Sequence, residues 1–264
     1  MTYQGVLKKM MTAHEETVQY YLEVENNFLN INQLLEREIE LSFVKFECLN
    51  CHLDKQIYRQ GFCQKCFFET PTAGEWIIKP ELSTAHLGKE DRDLEYEKVV
   101  QLKPHIVYLA NSSEVKVGVT RKTQVPTRWI DQGAHEAIEI VEVPNRYLAG
   151  ITEVALKEYV SDKTNWRKML QNNITDADLV AVKEKLSQYI PDEAKEYYLK
   201  ENNDEIHINF PVNKYPEKVK SLNLLKSGNY KGVLKGIKGQ YLIFEDNTVF
   251  NVRANEGLVV TIEV

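Results

Sequence analysis

No apolar run in the 264 residues approaches about 18, the length a helix needs to cross a bilayer, so no membrane span is expected. The start, Met1-Thr2-Tyr3-Gln4, lacks the basic-then-apolar pattern of a secretory leader, and a cytoplasmic protein is the expectation. There is no glycine-rich phosphate loop, no dinucleotide fingerprint and no nucleophile elbow. Positive charge is also short: 33 Lys and Arg stand against 39 Asp and Glu, a net charge of -6. A protein that coats nucleic acid nonspecifically carries the opposite balance, so any such contact must come from a local basic face. What remains is ordinary globular composition, 43% hydrophobic and 27% charged. The length allows one large domain or two to three small ones, with a real core in either case.

Cysteine is scarce, but its spacing is specific. Cys48-x2-Cys51 and Cys63-x2-Cys66 form two knuckles separated by eleven residues. Each knuckle places two thiolates on a tight turn, and two knuckles complete a tetrahedral zinc site. Four ligands with no open position indicate a structural ion, a zinc ribbon. A redox dithiol pair is the less common use of such spacing. His52 adjoins the second ligand and reads as a surface residue. Lys55, Arg59 and Lys65 make the ribbon a candidate docking surface for a protein or nucleic-acid partner.

The two ends of the chain read as an internal repeat, with chance similarity between two hairpin-rich segments as the alternative. Tyr3-Gln4-Gly5-Val6-Leu7-Lys8 matches Tyr230-Lys231-Gly232-Val233-Leu234-Lys235. Tyr21-Leu22 before Glu25-Asn26-Asn27 matches Tyr241-Leu242 before Glu245-Asp246-Asn247, and Ile39-Glu40-Leu41 matches Val260-Thr261-Ile262. Each copy is a β unit of three to four strands, short for an independent core. The expectation is that the two pack together.

Between them the pattern sets these bounds: an N-terminal β unit at 1–46, the zinc ribbon at 47–80, a connector at 81–104, a central domain at 105–175, a helical segment and connector at 176–221, and the C-terminal β unit at 222–264. In the 70–103 region Trp76 to Pro80 reads as a short strand, and His86 and Arg92 are either lining residues of a site near the centre or solvated residues of a connector. Thr175 to Asp178 caps a helix to about Tyr189, a second runs from Pro191 to about Lys200, and Ile206 to Phe210 alternates as a strand. Trp166 reads as a core closure rather than a base-stacking platform.

The central segment opens on two strand-like runs, His105 to Ala110 and Val115 to Val119, joined by a polar turn. A short helix follows, opened by Thr123 and Pro126, bearing Arg128 and Trp129 and closed by Gly133. A third strand, Ala137 to Val143, leads to a helix bearing Glu153. This order, with Ile106-Val107-Tyr108 on the first strand and Lys116-Val117-Gly118 then Thr120 on the second, resembles the GIY-YIG nuclease domain. The segment departs from that pattern at Ile106, where the family has glycine, and at Lys116, where it has tyrosine. The whole chain is also similar to an uncharacterised bacterial and archaeal family with a zinc ribbon ahead of the stretch Lys116 to Arg121 and Arg128 to Ala134, a likeness that implies no activity.

The nuclease resemblance implies roles. Tyr108 would handle the attacking water, Arg128 the phosphate, and Glu153 a divalent ion, Mg(II) or Mn(II), on the leaving oxygen. Lys116 would replace a proton relay with a fixed charge. An asparagine ends the family pattern; Asn165, Asn172 and Asn173 all stand near that place. Arg121, Lys122, Trp129, Asp131, Gln132 and His135 are the candidate substrate contacts. The bland alternatives are a core tyrosine, a pairing arginine, and a surface ion pair of Glu153 with Lys157 at i, i+4. The expected fold is α+β, with a central three-stranded sheet and helices, a zinc ribbon and joined terminal β units. The expected function is nucleic-acid-directed, either a metal-dependent endonuclease or a non-catalytic module that binds nucleic acid or protein.

Overall fold

The computed structural model describes residues 1–25, 27–160 and 165–264. The turn position Asn26 lies outside them. The chain is mixed α+β, with four sheets and short helices among the described residues.

The two ends of the chain share the largest sheet. Its strands run in the order Thr2–Val6, Leu258–Glu263, Glu38–Phe46, Asn229–Lys238, Tyr241–Phe244, Thr248–Asn251, Lys220–Ser221. The pairing is exchanged between the repeats. The first strand of the N-terminal copy lies on the last of the C-terminal copy, with Gly5 opposite Val260. The first strand of the C-terminal copy lies on the last of the N-terminal copy, with Gly232 opposite Ile39. The two last strands pair with each other, and the matched residues Leu41 and Ile262 face one another. The register therefore has the form of a local two-fold through Leu41 and Ile262. Neither copy closes its own sheet, which is why alternation of apolar and polar residues specifies a joint core. Leu7, Leu22, Ile39 and Leu41 meet Leu242, Phe250 and Ile262 in one buried cluster. A three-stranded sheet, Met11–Ala13, Gln19–Val24 and Asn27–Asn30, covers one end.

The central sheet is antiparallel, ordered Ile206–His207, Glu136–Val143, His105–Asn111, Val115–Arg121. Every residue of His105–Asn111 is buried, because both faces are covered. Ile106, Tyr108 and Ala110 join the core that contains the terminal units, with Trp129 and Ile130. Val107 and Leu109 face Ile138, Ile140, Ala149, Leu156 and Leu179 in a second core. That core is closed by the helices Arg146–Lys157 and Leu179–Leu186. Asn145 caps the first of these, its side chain accepting the Leu148 amide at 3.0 Å.

The stretch after the cysteines differs from its reading as a strand. Glu75–Ile77 and Pro80–Leu82 are single 3-10 turns. They are held by the long helix rather than by a neighbouring strand. Gly150 leaves no room for a Cβ against the Pro80–Glu81 backbone, so turn and helix pack at closest approach. Arg92 donates to the Phe67 and Thr70 carbonyls at 2.8 and 2.7 Å, and His86 stacks on Tyr147 at 4.5 Å. Both are ties within the scaffold.

Other boundaries shift for local reasons. The helix bearing Arg128 runs only Thr127–Asp131, because Val125 is extended before Pro126, as the proline ring requires. Gly133 ends it at φ +68°. The strand expected over Ile206 to Phe210 is Ile206–His207 alone, and the helix after Pro191 is a 3-10 segment, Asp192–Tyr197.

Candidate functional site

The four cysteine sulfurs lie within 4.8 Å of one another. The hairpin Ile57–Arg59 with Phe62–Cys63 carries Cys63, and the helix Gln64–Glu69 carries Cys66. The Cys63 amide donates to Cys48 Sγ at 3.3 Å, and Asn50 Nδ2 donates to Cys66 Sγ at 3.4 Å. Burial works against the Cys48 thiolate, but backbone N–H groups of Cys51, Cys63 and Asn50 bring its pKa down to about 6. Asn50 favours the Cys66 thiolate, yet burial and three neighbouring thiols push Cys66 up to about 12. Four such thiols can ionise together only around a cation, and the cluster could bind a zinc ion. His52 stays outside it, exposed, 3.4 Å from Glu47.

A cleft of about 780 Å³ opens between this unit, the 3-10 turns, the central sheet and the terminal units. It gathers residues far apart in sequence. Tyr108, Lys116, Gly118, Arg121, Arg128, Asp131, Gln132 and Glu153 come from the central segment. Leu49, Gln60 and Phe62 come from the cysteine unit, Trp76 and Tyr96 from the connector, and Lys9, Arg253 and Glu256 from the chain ends. Lys116, Arg121, Arg128, Arg146, Lys157, Lys9 and Arg253 face only Asp131, Glu153 and Glu256 among its acids. A chain of net charge -6 thus concentrates an excess of cations in one cavity.

Tyr108 lies at the floor. Its ring packs edge-on against Trp129, centroids 5.7 Å apart, and its hydroxyl accepts from Gln132 Nε2 at 2.7 Å. Burial raises its pKa, with Arg128 opposing, so the hydroxyl keeps its proton at neutral pH and can donate it in a hydrogen bond. Burial brings Lys116 down to about 8, helped by Arg128 and opposed by Glu153. Burial raises Glu153, with Lys157 opposing from 3.5 Å. Burial lowers Arg146 to about 10, leaving it charged at neutral pH.

The remaining candidates divide. Arg121 lines the cleft. Asp131 does too, but its carboxylate binds Lys9 at 2.6 Å and accepts from Gln240 at 2.9 Å, so it ties the chain ends to the central unit. Trp129 is buried and, unlike Tyr108, does not line the cleft; its ring packs behind the tyrosine. Lys122 pairs with Glu142 at 2.7 Å away from the cleft. His135 pairs with Glu136 at 3.2 Å, also outside the cleft lining. Asn165 caps the helix Trp166–Leu170, and Asn172 accepts from buried Lys238 at 2.9 Å.

Arg146 escaped the sequence reading. It donates to the carbonyls of Trp76 and Ile77 at 3.0 and 2.7 Å, neutral partners, while the Glu153 and Glu81 carboxylates favour its charged form. One signal was available: a cation in the first turn of a helix stands at the wrong end of the dipole, which calls for a specific reason. Lys9, Arg253 and Glu256 carried no such signal.

A family model described as "Protein of unknown function (DUF2797)" matches residues 36–260. No curated protein and no solved structure matches the chain.

Proposed function

The chain belongs to the DUF2797 family, whose description names no activity, and from that premise we propose a protein that holds the phosphodiester backbone of a nucleic acid in the cleft and hydrolyses it. The carrying observation is the convergence of Tyr108, Lys116, Arg128 and Glu153 in one cavity with an excess of cations.

Each group has a task its surroundings support. Arg128 and Arg146 supply charge for the phosphate, and Arg128 offers the planar fork for two of its oxygens. Tyr108, already an acceptor from Gln132, directs its proton to the attacking water or a phosphate oxygen. Lys116 adds charge where the phosphorane forms. Glu153 faces a cavity with room for a hydrated ion, which would take the place of its Lys157 partner 3.5 Å away, while Asp131 is held by Lys9 and Gln240. That donor set fits Mg(II) or Mn(II), which take few protein carboxylates and complete their shell with water and phosphate oxygens. Such an ion would neutralise the leaving oxygen.

The second reading, recognition without cleavage, draws on the raised pKa of Tyr108 and on Lys116 in place of a tyrosine. The test is a cleavage and retention assay at low salt. Labelled duplex DNA, branched DNA, single strands and structured RNA are each given Mg(II), Mn(II) or neither. Metal-dependent cutting lost in Glu153→Gln and in Arg128→Ala is the expected result. Retention without cutting supports the recognition module. Neither retention nor cutting overturns both.

A further inference from the structure

Beside the main cleft lies a second groove of about 360 Å³ that shares Lys116, Asp131, Gln132 and Arg253 with it. Its other wall is aromatic. Trp166 and Tyr241 stack with their planes 5° apart and centroids separated by 5.7 Å. At that separation parallel rings in contact are slipped, so part of each face is left uncovered by the other. The Arg167 guanidinium lies 4.2 Å from the Trp166 ring centroid. Asn251, which bonds the Tyr241 hydroxyl and accepts from the Ala254 amide, holds that ring in place along the groove.

We propose that this groove receives an unstacked base of a single-stranded nucleic acid whose backbone lies in the adjoining cleft. The inference rests on the phosphodiester reading above and narrows its substrate. The two cavities meet at Lys116 and Arg253, cations suited to a phosphate, beside Gln132 and an Asp131 carboxylate that Lys9 neutralises at 2.6 Å, and the aromatic wall adjoins them. The uncovered parts of the two rings can stack on any base through its π face. A base inside a duplex is already stacked on both sides and cannot enter, which selects single strands or flipped nucleotides. Trp166 comes from the short helix after the central sheet and Tyr241 from the C-terminal repeat, so only the folded chain creates the platform.

The test uses the zinc-loaded full chain without added Mg(II) or Mn(II). Short labelled oligothymidylate and oligouridylate are compared with an abasic strand of equal length and with duplex DNA, by anisotropy at low salt. Trp129 lines neither cavity but Trp76 lines the main cleft, so the part of the indole quenching that Trp166→Leu removes is the part that reports Trp166. The base-bearing strands are expected to bind with quenching and more tightly than the abasic strand or the duplex. Trp166→Leu and Tyr241→Leu should each weaken the base-bearing strands by about ten-fold or more, leave abasic binding unchanged, and keep the far-UV spectrum. Trp166→Phe should restore most of the affinity. Equal binding of base-bearing and abasic strands, unaffected by either leucine variant, overturns this inference and leaves the cleft reading intact. An equal loss for both strands shows the rings to be only a wall of the cleft and also overturns it. Binding of no strand overturns both readings.

Discussion

Tyr108 and Gly118 face each other on adjacent strands, and a Cβ on Gly118 would lie 2.6 Å from the Tyr108 hydroxyl oxygen. The tyrosine ring therefore lies across the glycine, and the glycine is what lets it reach the floor of the cleft. Strand backbone at Gly118 accepts any residue, so the constraint is space alone.

Gly118→Ala should therefore fold but displace the Tyr108 ring. The expected cost is about 1–3 kcal/mol of overpacking, read as a lower Tm. Retention and cleavage of nucleic acid should fall far more than in Val119→Ala, a change on the same strand that leaves Tyr108 in place. Equal activity in both variants would count against a working role for Tyr108.

The cysteine cluster should hold one zinc per chain, measured by elemental analysis. Chelation or Cys63→Ser should lower Tm and loosen the cleft, because Leu49, Gln60 and Phe62 form part of its wall. Nucleic-acid retention should then weaken. Charge reversal at Lys55, Arg59 and Lys65, all exposed, separates the two uses of this unit. Unchanged retention in that triple variant marks it as a wall; a loss marks it as a docking surface.

The local two-fold predicts coupling at its axis. Leu41 and Ile262 are each 2% exposed and are cross-strand partners. Leu41→Ala and Ile262→Ala should each cost roughly 2–5 kcal/mol in denaturant unfolding. Together they should cost less than their sum, since neighbours share one cavity. Strict additivity would show that the two do not pack as a pair.

His105 makes stability depend on pH. Burial lowers its pKa to about 4, the Lys103 carbonyl opposes this at 2.7 Å, and Arg146 and Arg121 add to the depression. Between pH 6.5 and 4 the unfolded chain binds a proton that the folded chain refuses, so folding loses stability as pH falls through that window. The full effect is roughly 3 kcal/mol. Tm measured from pH 7 to pH 4 should fall, and His105→Gln should flatten the slope while wild type keeps it.

Much of this protein was legible along the chain, and the reason differs from part to part. The cysteine cluster was legible because its geometry is local: two short knuckles and one turn fix four sulfurs. The kinship of the two ends was legible because like strands carry like alternation. Tyr108, Lys116, Arg128 and Glu153 were singled out by the resemblance to the GIY-YIG pattern, and the structure lines one cleft with all four. Which neighbours shared their cavity could not. Arg128 and Trp129 are adjacent on a five-residue helix, about 100° apart around its axis, and only packing decides that one faces the cleft and the other the core.

The sequence by itself determined the mixed α+β character, the thiol cluster and the repeat, since these depend on spacing and periodicity. Tertiary structure decided the rest. It exchanged the strands of the two repeats, so that neither closes alone and Leu41 meets Ile262. It pressed an unremarkable connector against Gly150 and set Arg146 in the wall of the cleft. It drew Lys9 and Arg253 from opposite ends of the chain to one cavity. Side chains so distant in sequence acquire a common electrostatic field only when packing brings them together, and no local pattern records that.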